Sequence, residues 1–189
     1  MKLYVDFDGT IVDTIGRVCE LYNEDYSYYD NFEPVVSDEI KTWDFNELVL
    51  SNRKNINMYF TQPRFFHDGL KPYHHACEVL NKIHENGDTI VVVSAGTTPN
   101  LKLKKAWLRN HIQFDDFIGV DFSNYKNKNH INMKDGILID DMSMNLKGSS
   151  AMKTICFGRE YDWNNDWKGT RCYTWDEVYE YLKGEINNE

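Results

Sequence analysis

The sequence predicts an α/β fold: a parallel sheet with helices on both faces, plus a small helical cap inserted after the first strand. Three observations predict it. Short apolar runs recur from residue 89 on, such as "TIVVVSAG" (89–96) and "GILIDD" (136–141), of the kind buried on both faces of a parallel sheet. Helical periodicity lies near them, as in Ala76, Val79, Leu80 and Ile83 at i, i+3, i+4 and i+7. Such alternation makes βαβ units with right-handed crossovers. Residues 14–70 differ in texture: they are rich in Tyr, Asn and Asp, and they carry helical pieces without a clear strand. The expected division is a core of residues 1–13 and 71–189 and a cap of residues 14–70.

In chain order, Leu3, Tyr4 and Val5 begin a buried strand that stops within "YVDFDGT" (4–10). Ile15, Val18, Cys19 and Tyr22 place a helix over about 14–27, with Asp13 as its N-cap. Ser37 and Ile40 start a second helical piece and a third lies near 52–60, punctuated by Pro34 and Pro63. The helix containing Ala76 stops at Gly87. The strand at 89–96 leads to a helix over about 99–110, whose charges ("LKLKKAWLRN") are expected to form a solvated face. Strands follow at 116–122, 136–141, 153–158 and 171–175. A last helix covers 175–183, with Thr174 and Glu177 at capping-box spacing.

With 189 residues, 41% of them hydrophobic, the chain can bury one core and a small insertion. A net charge of -9 and a pI near 5.1 give no general footprint for nucleic-acid polymers or anionic membranes. A small anionic substrate would need local cations or a metal. No apolar run approaches the ~18 residues of a membrane span. Asp6 interrupts the apolar N-terminus too early for a signal peptide. Cys19, Cys77, Cys156 and Cys172 form no CxxC and read as reduced thiols of a cytoplasmic protein. No His/Cys spacing suggests zinc.

The chemistry lies in carboxylates at strand ends. Side chains alternate along a strand, so Asp6 and Asp8 share one side at the carboxyl end of the first. Two like charges there are tolerable if a cation sits between them or one stays protonated. Gly9 permits a tight turn and close approach of backbone N–H groups to a ligand. Asp140 and Asp141 end "GILIDD" in the same way, with an N-cap pair for a following helix as the plain alternative. Ser94, followed by Ala95, Gly96, Thr97 and Thr98, offers a hydroxyl and N–H groups to a phosphate oxygen. Hard oxygen ligands from Asp6 and Asp140 suit Mg2+. Ligands of such sheets bind at the carboxyl ends of the strands, near a topological switch point.

These residues resemble the pattern of the haloacid dehalogenase-like (HAD) phosphohydrolases: DxDGT (Asp6-Phe7-Asp8-Gly9-Thr10), a Ser or Thr closing the next strand (Ser94), a Lys, and an acidic pair (Asp140-Asp141). The resemblance implies a Rossmann-like, HAD-like core. It implies Asp6 as a nucleophile that forms an aspartyl-phosphate, and Asp8 as general acid and then base. It further implies Mg2+ held by Asp6, the Asp8 backbone carbonyl and Asp140, with Asp141 acting through water. Gly9, Ser94, Ala95 and a Lys would hold the phosphate. Lys134 is too far away, because six extended residues at ~3.3 Å place it ~20 Å from the strand's far end. Lys126 and Lys128, which follow "FIGVDF", both qualify, and the resemblance favours Lys128.

Within that superfamily the chain looks most like the 5'(3')-deoxyribonucleotidases. These are short, carry a small helical cap in this position and close it with an "FF…L.P" stretch, here Phe65, Phe66, Leu70 and Pro72. "ILIDD" followed by Asn145-Leu146 is similar too. A deoxynucleoside monophosphate substrate is implied, with Phe65 and Phe66 as candidates to stack on the base and cap core as their plain alternative. Another small phosphomonoester, such as a sugar phosphate, would keep the same chemistry. A non-catalytic nucleotide-binding protein is the third reading, against which the intact Asp6 and Asp8 argue. Tyr161, Trp163 and Trp167 read as loop packing, with a lid at the site rim as the alternative.

Overall fold

The structure, a computed structural model, describes residues 1–67 and 69–186. Six parallel strands form one sheet in the order β3-β2-β1-β4-β5-β6. They are β1 (Lys2–Val5), β2 (Thr89–Gly96), β3 (Asp116–Asp121), β4 (Ile137–Asp140), β5 (Lys153–Phe157) and β6 (Arg171–Cys172). The chain steps outward from β1 to β2 and β3, then crosses to β4 on the other side of β1. That reversal opens a crevice at the carboxyl end of β1.

The strands are apolar because both faces of the sheet are covered. Leu3 and Val5 pack with Ile90, Val92, Ile137, Ile139 and Ile155 on one face. Tyr4, Val91, Val93, Leu138 and Cys156, one residue out of step, pack on the other. Each fully buried Ile or Val contributes about 2 kcal/mol relative to exposure. The larger cluster includes residues of α1 (Thr14–Tyr26), α4 (Ala76–Glu85), α5 (Thr98–His111) and α7 (Trp175–Ile186). The smaller cluster takes in Met133 and Leu146, the latter on α6 (Ser143–Lys147).

Between β1 and β2 the chain is helical, as the texture of residues 14–70 predicts. Asp13 caps α1, its Oδ1 accepting from Gly16 N at 2.8 Å. α2 (Arg53–Tyr59) is capped by Asn52, whose Oδ1 accepts from Lys54 N and Asn55 N. The piece at Ser37 is only a 3-10 turn, Ser37–Glu39. Two short helices show no periodicity of their own in the sequence. α3 (Pro63–His67) starts on a proline, which suits a first turn because its missing N–H would be unpaired there anyway. Buried Arg17 supports α3, donating to Arg64 O at 2.6 Å and Phe65 O at 3.2 Å. α6, at five residues, is too short to show a period. β6 stops at Cys172 because Thr174 already caps α7: its Oγ1 accepts from Glu177 N at 3.2 Å.

The two ends of this segment are held side by side. Asp13 N donates to Lys71 O at 2.9 Å and Tyr73 N to Ile11 O at 2.9 Å. Its apolar residues, among them Ile40, Phe45 and Ile56, pack continuously with Leu3, Val5 and Ile139 of the sheet. The four cysteines are free thiols, and burial pushes Cys19 and Cys156 up to about 12, far from reactive thiolates. No helix among the described residues is long and apolar enough to cross a membrane.

Candidate active site

Asp6 follows the last residue of β1 and extends its ladder by one bond, donating from its N–H to Ile139 O at 2.9 Å. Since Val5 pairs with Ile139, Asp6 and Asp140 leave neighbouring strands side by side. The chain then turns at Gly9, with φ +68°. Gly9 is needed twice over, for that conformation and because a Cβ there would lie 2.6 Å from Asp141 Oδ2. Its N–H, which the sequence suggested as a phosphate donor, here donates to Val12 O at 3.0 Å within the turn.

Asp6 and Asp8 meet different lysines. Lys128 Nζ lies 2.6 Å from Asp6 Oδ1 and 2.6 Å from Asp140 Oδ2, fully buried. Burial works against its charge, but Asp140 and Asp6 outweigh that and hold its pKa above the ordinary lysine value. Lys104 Nζ pairs instead with Asp8 Oδ2, and donates to Ser94 Oγ at 3.0 Å and Ala95 O at 2.7 Å. Thr14 Oγ1 donates to the other oxygen of Asp8 at 3.0 Å. Two carboxylates two residues apart thus sit in separate surroundings, the arrangement that lets one fold assign them separate roles.

The acidic pair completes the site. Asp140 accepts from Met142 N at 2.8 Å and from Asn145 Nδ2 at 3.1 Å. Asp141 Oδ2 accepts from Trp163 Nε1 at 2.9 Å. Asp6, Asp140 and Asp141 are all buried, with carboxylate oxygens within 4.8 Å of one another. Burial pushes Asp6 up to about 7; Lys128 opposes this, while Asp140 and Asp8 add to it. Burial, then Asp140 and Asp6, likewise raise Asp141 well above the usual carboxylate range.

These groups fit a divalent cation. The donors are all hard oxygens, and four carboxylates against two lysines leave a formal charge of -2. Asp6, Asp140 and Asp141 would hold the ion, whereas the Asp8 side chain faces Lys104 and Thr14. A pH dependence follows. The folded pKa of Asp6 lies above its unfolded value of 3.8, so the metal-free fold loses stability from this group as pH rises from about 4 to about 7. A cation held by the ionised trio would reverse the loss. The rise in melting temperature on adding Mg2+ is therefore expected to be larger at pH 8 than at pH 5, with EDTA as the reference. Equal shifts at both pH values would count against the trio as the ligand set.

The site floors a cavity of about 520 Å3, lined by Asp6, Asp8, Ala95, Lys104, Lys128 and Asp141 and walled by the rings of Trp43, Phe45, Phe60, Phe122 and Tyr125. Phe65 and Phe66 are not among those rings. They are 1% and 2% exposed and pack edge-on to each other, Phe65 also against Phe60, so they are core of the inserted segment. Ser94 is wholly buried on a strand that runs two residues further, and its hydroxyl accepts from Lys104; the residue facing the cavity is Ala95. Of the two lysines left open, Lys128 lies in the carboxylate cluster and Lys126 is exposed at the cavity wall. Lys134 adjoins Asp135, which pairs with Lys2 at the opposite end of β1.

Sequence reasoning missed Lys104, placing it on a solvated helix face. Its signal was the company it keeps: Asn100, Lys104, Trp107 and Leu108 fall at i, i+4, i+7 and i+8 and are the buried face of α5.

A parallel sheet of this order, with carboxylates closing β1 and β4 beside Lys128, is a HAD-like α/β fold. The chain belongs to the 5' nucleotidase, deoxy (pyrimidine), cytosolic type C family, whose model matches residues 1–185. It is a phosphoric monoester hydrolase of the nucleotidase type. No curated protein matches the chain. Solved structures share the fold at low identity. One described as a phosphatase from Clostridium difficile is 17% identical, with 96% of this chain and 97% of that one covered and a TM-score of 0.68. A HAD-superfamily hydrolase from Ehrlichia chaffeensis is 15% identical over 98% and 97%, with a TM-score of 0.56. YfnB from Bacillus subtilis, described as a HAD-hydrolase bound to magnesium, is 14% identical over 96% and 97%, with a TM-score of 0.60.

Proposed function

We propose that the chain hydrolyses the phosphomonoester of deoxyribonucleoside 5'(3')-monophosphates, with Mg2+, through an aspartyl-phosphate. The observation that carries this is the separation of Asp6 from Asp8 on the floor of one cavity, the first on Lys128 and the second on Lys104 and Thr14. Asp6 Oδ attacks phosphorus and the bond to the leaving oxygen breaks. Asp8, entering the step protonated, gives that proton to the oxygen, then takes one from the water that attacks the aspartyl-phosphate. Inorganic phosphate leaves and Asp6 is restored. When bound, Mg2+ offsets the repulsion between an anionic nucleophile and an anionic phosphate. Lys128 supplies a fixed positive charge beside Asp6, and Lys104 orients Asp8.

Residues 14–70 act as the cap over the site. Their closed ends at Asp13 and Lys71, and the placing of Trp43, Phe45 and Phe60 on the cavity wall, support this. Those rings suit a flat base. Free buried thiols and the family's cytosolic description support a cytoplasmic setting.

The test is phosphate release from dUMP, dTMP, UMP, glucose 6-phosphate and an aryl phosphate, each with Mg2+ and with EDTA. Metal-dependent release favouring dUMP and dTMP is expected. Release from the aryl phosphate alone would discard the nucleotide reading and keep the chemistry. Equal rates in EDTA would remove the metal.

A further inference from the structure

We propose that Trp163 is the positioning residue of Asp141 and ties the divalent-cation site to the cap. This rests on the reading of Asp6, Asp140 and Asp141 as ligands. Trp163 holds the acidic corner from two sides. Its indole Nε1 donates to Asp141 Oδ2 at 2.9 Å, and its carbonyl accepts from Ser143 Oγ at 3.1 Å at the start of α6. Asn164, wholly buried, adds a bond from its Nδ2 to Asp141 O at 2.9 Å. Asp141 therefore has one oxygen oriented by a neutral donor, and among the described residues no hydrogen bond engages the other. An outer partner of this kind fixes a ligand's orientation without adding charge.

The same indole stacks on Tyr161 of its own loop and meets the cap at Trp43, tilted by 42°. Its ring lies 4.1 Å from Tyr161, at 10° to it, and 5.2 Å from Trp43, which walls the cavity. The loop carrying Trp163 is fastened to the cap beside Trp43. Arg159 pairs with Asp38, donates to Ser37 O and lies over the Tyr161 ring at 4.5 Å. Asp162 N donates to Lys41 O at 3.3 Å. A shift of Trp43 thus reaches Asp141 through one ring contact and one hydrogen bond. By linkage, occupation of the metal site must in turn act on Trp43.

Magnesium affinity, measured by calorimetry on EDTA-stripped protein without substrate, tests the first half. Trp163→Phe keeps an aromatic ring, smaller than the indole, and loses the donor, and it is expected to bind Mg2+ about tenfold more weakly. Equal affinity in a variant that melts like wild type overturns the assignment. The wild-type chain labelled with 5-fluorotryptophan tests both halves without a core substitution. Mg2+ is expected to move the fluorine resonances of Trp163 and Trp43. It should leave that of Trp167, whose indole bonds to Thr170 O, in place. A still Trp163 overturns the positioning role, and a still Trp43 overturns the link to the cap. Failure of wild type to bind Mg2+ at all would instead sink the ligand reading on which the proposal stands.

Discussion

Asp6→Asn is expected to lower kcat for dUMP by about 10^4-fold or more, in line with removal of a covalent nucleophile, while leaving the fold as stable as before or more so. The first half follows from the proposed nucleophile role, the second from burial. Asp6 is a buried carboxylate whose pKa is pushed up to about 7, so its ionised form opposes folding at neutral pH. Asparagine has the same shape and no charge. Lys128 keeps Asp140 at 2.6 Å and is not left unpaired. The melting temperature in EDTA at pH 8 should hold or rise as activity disappears, the trade expected where a site stores unfavourable charge for function. Turnover at the wild-type rate would end the nucleophile assignment. A large fall in melting temperature would show that Asp6 serves the fold, and the loss of rate would then say little about chemistry.

The sequence made the sheet legible because its strands are buried on both faces, and a run such as "TIVVVSAG" has no other use. The site's location was legible for a related reason: carboxylates at the ends of apolar strands, as at Asp6 and Asp140, are too unfavourable to be incidental. What stayed hidden depends on contacts between distant segments. Lys104 looked like a surface lysine until Asp8, 96 residues away in sequence, supplied its partner. For Phe65 and Phe66 the sequence left base stacking and cap core both open, and only the packing of Phe60 and the rest of the insertion around them decides for core. Trp163 sits in a loop of polar residues, and nothing in its neighbourhood points to a carboxylate 22 residues earlier. Local pattern reports which residues must be buried; it does not report which buried groups will meet.

Lys128→Met carries the second large expectation. Methionine fills much of the same space but removes the cation that bridges Asp6 and Asp140. Three buried carboxylates would then share the pocket with no lysine between them. Breaking a buried pair in this way costs about 3–5 kcal/mol, because the partner charges stay behind. The loss should be larger in EDTA at pH 8 than at lower pH, because fewer of the acids then carry a proton. It should shrink as pH falls, since Asp6, without the lysine that lowers its pKa, takes up a proton above the wild-type value of about 7. Mg2+ should restore part of it by occupying the same carboxylates. Turnover is expected to stay roughly 10^2–10^3-fold down even when Mg2+ has recovered the fold, as for loss of one fixed positive group beside the reacting centre. Lys126→Met is the control: its lysine is exposed at the cavity wall, so melting should change by less than about 0.5 kcal/mol. Melting curves across pH, with and without Mg2+, separate the two lysines. If Lys128→Met melts like Lys126→Met at pH 8 in EDTA, the carboxylate cluster is not held together by that lysine, and its charge must be compensated by protons instead.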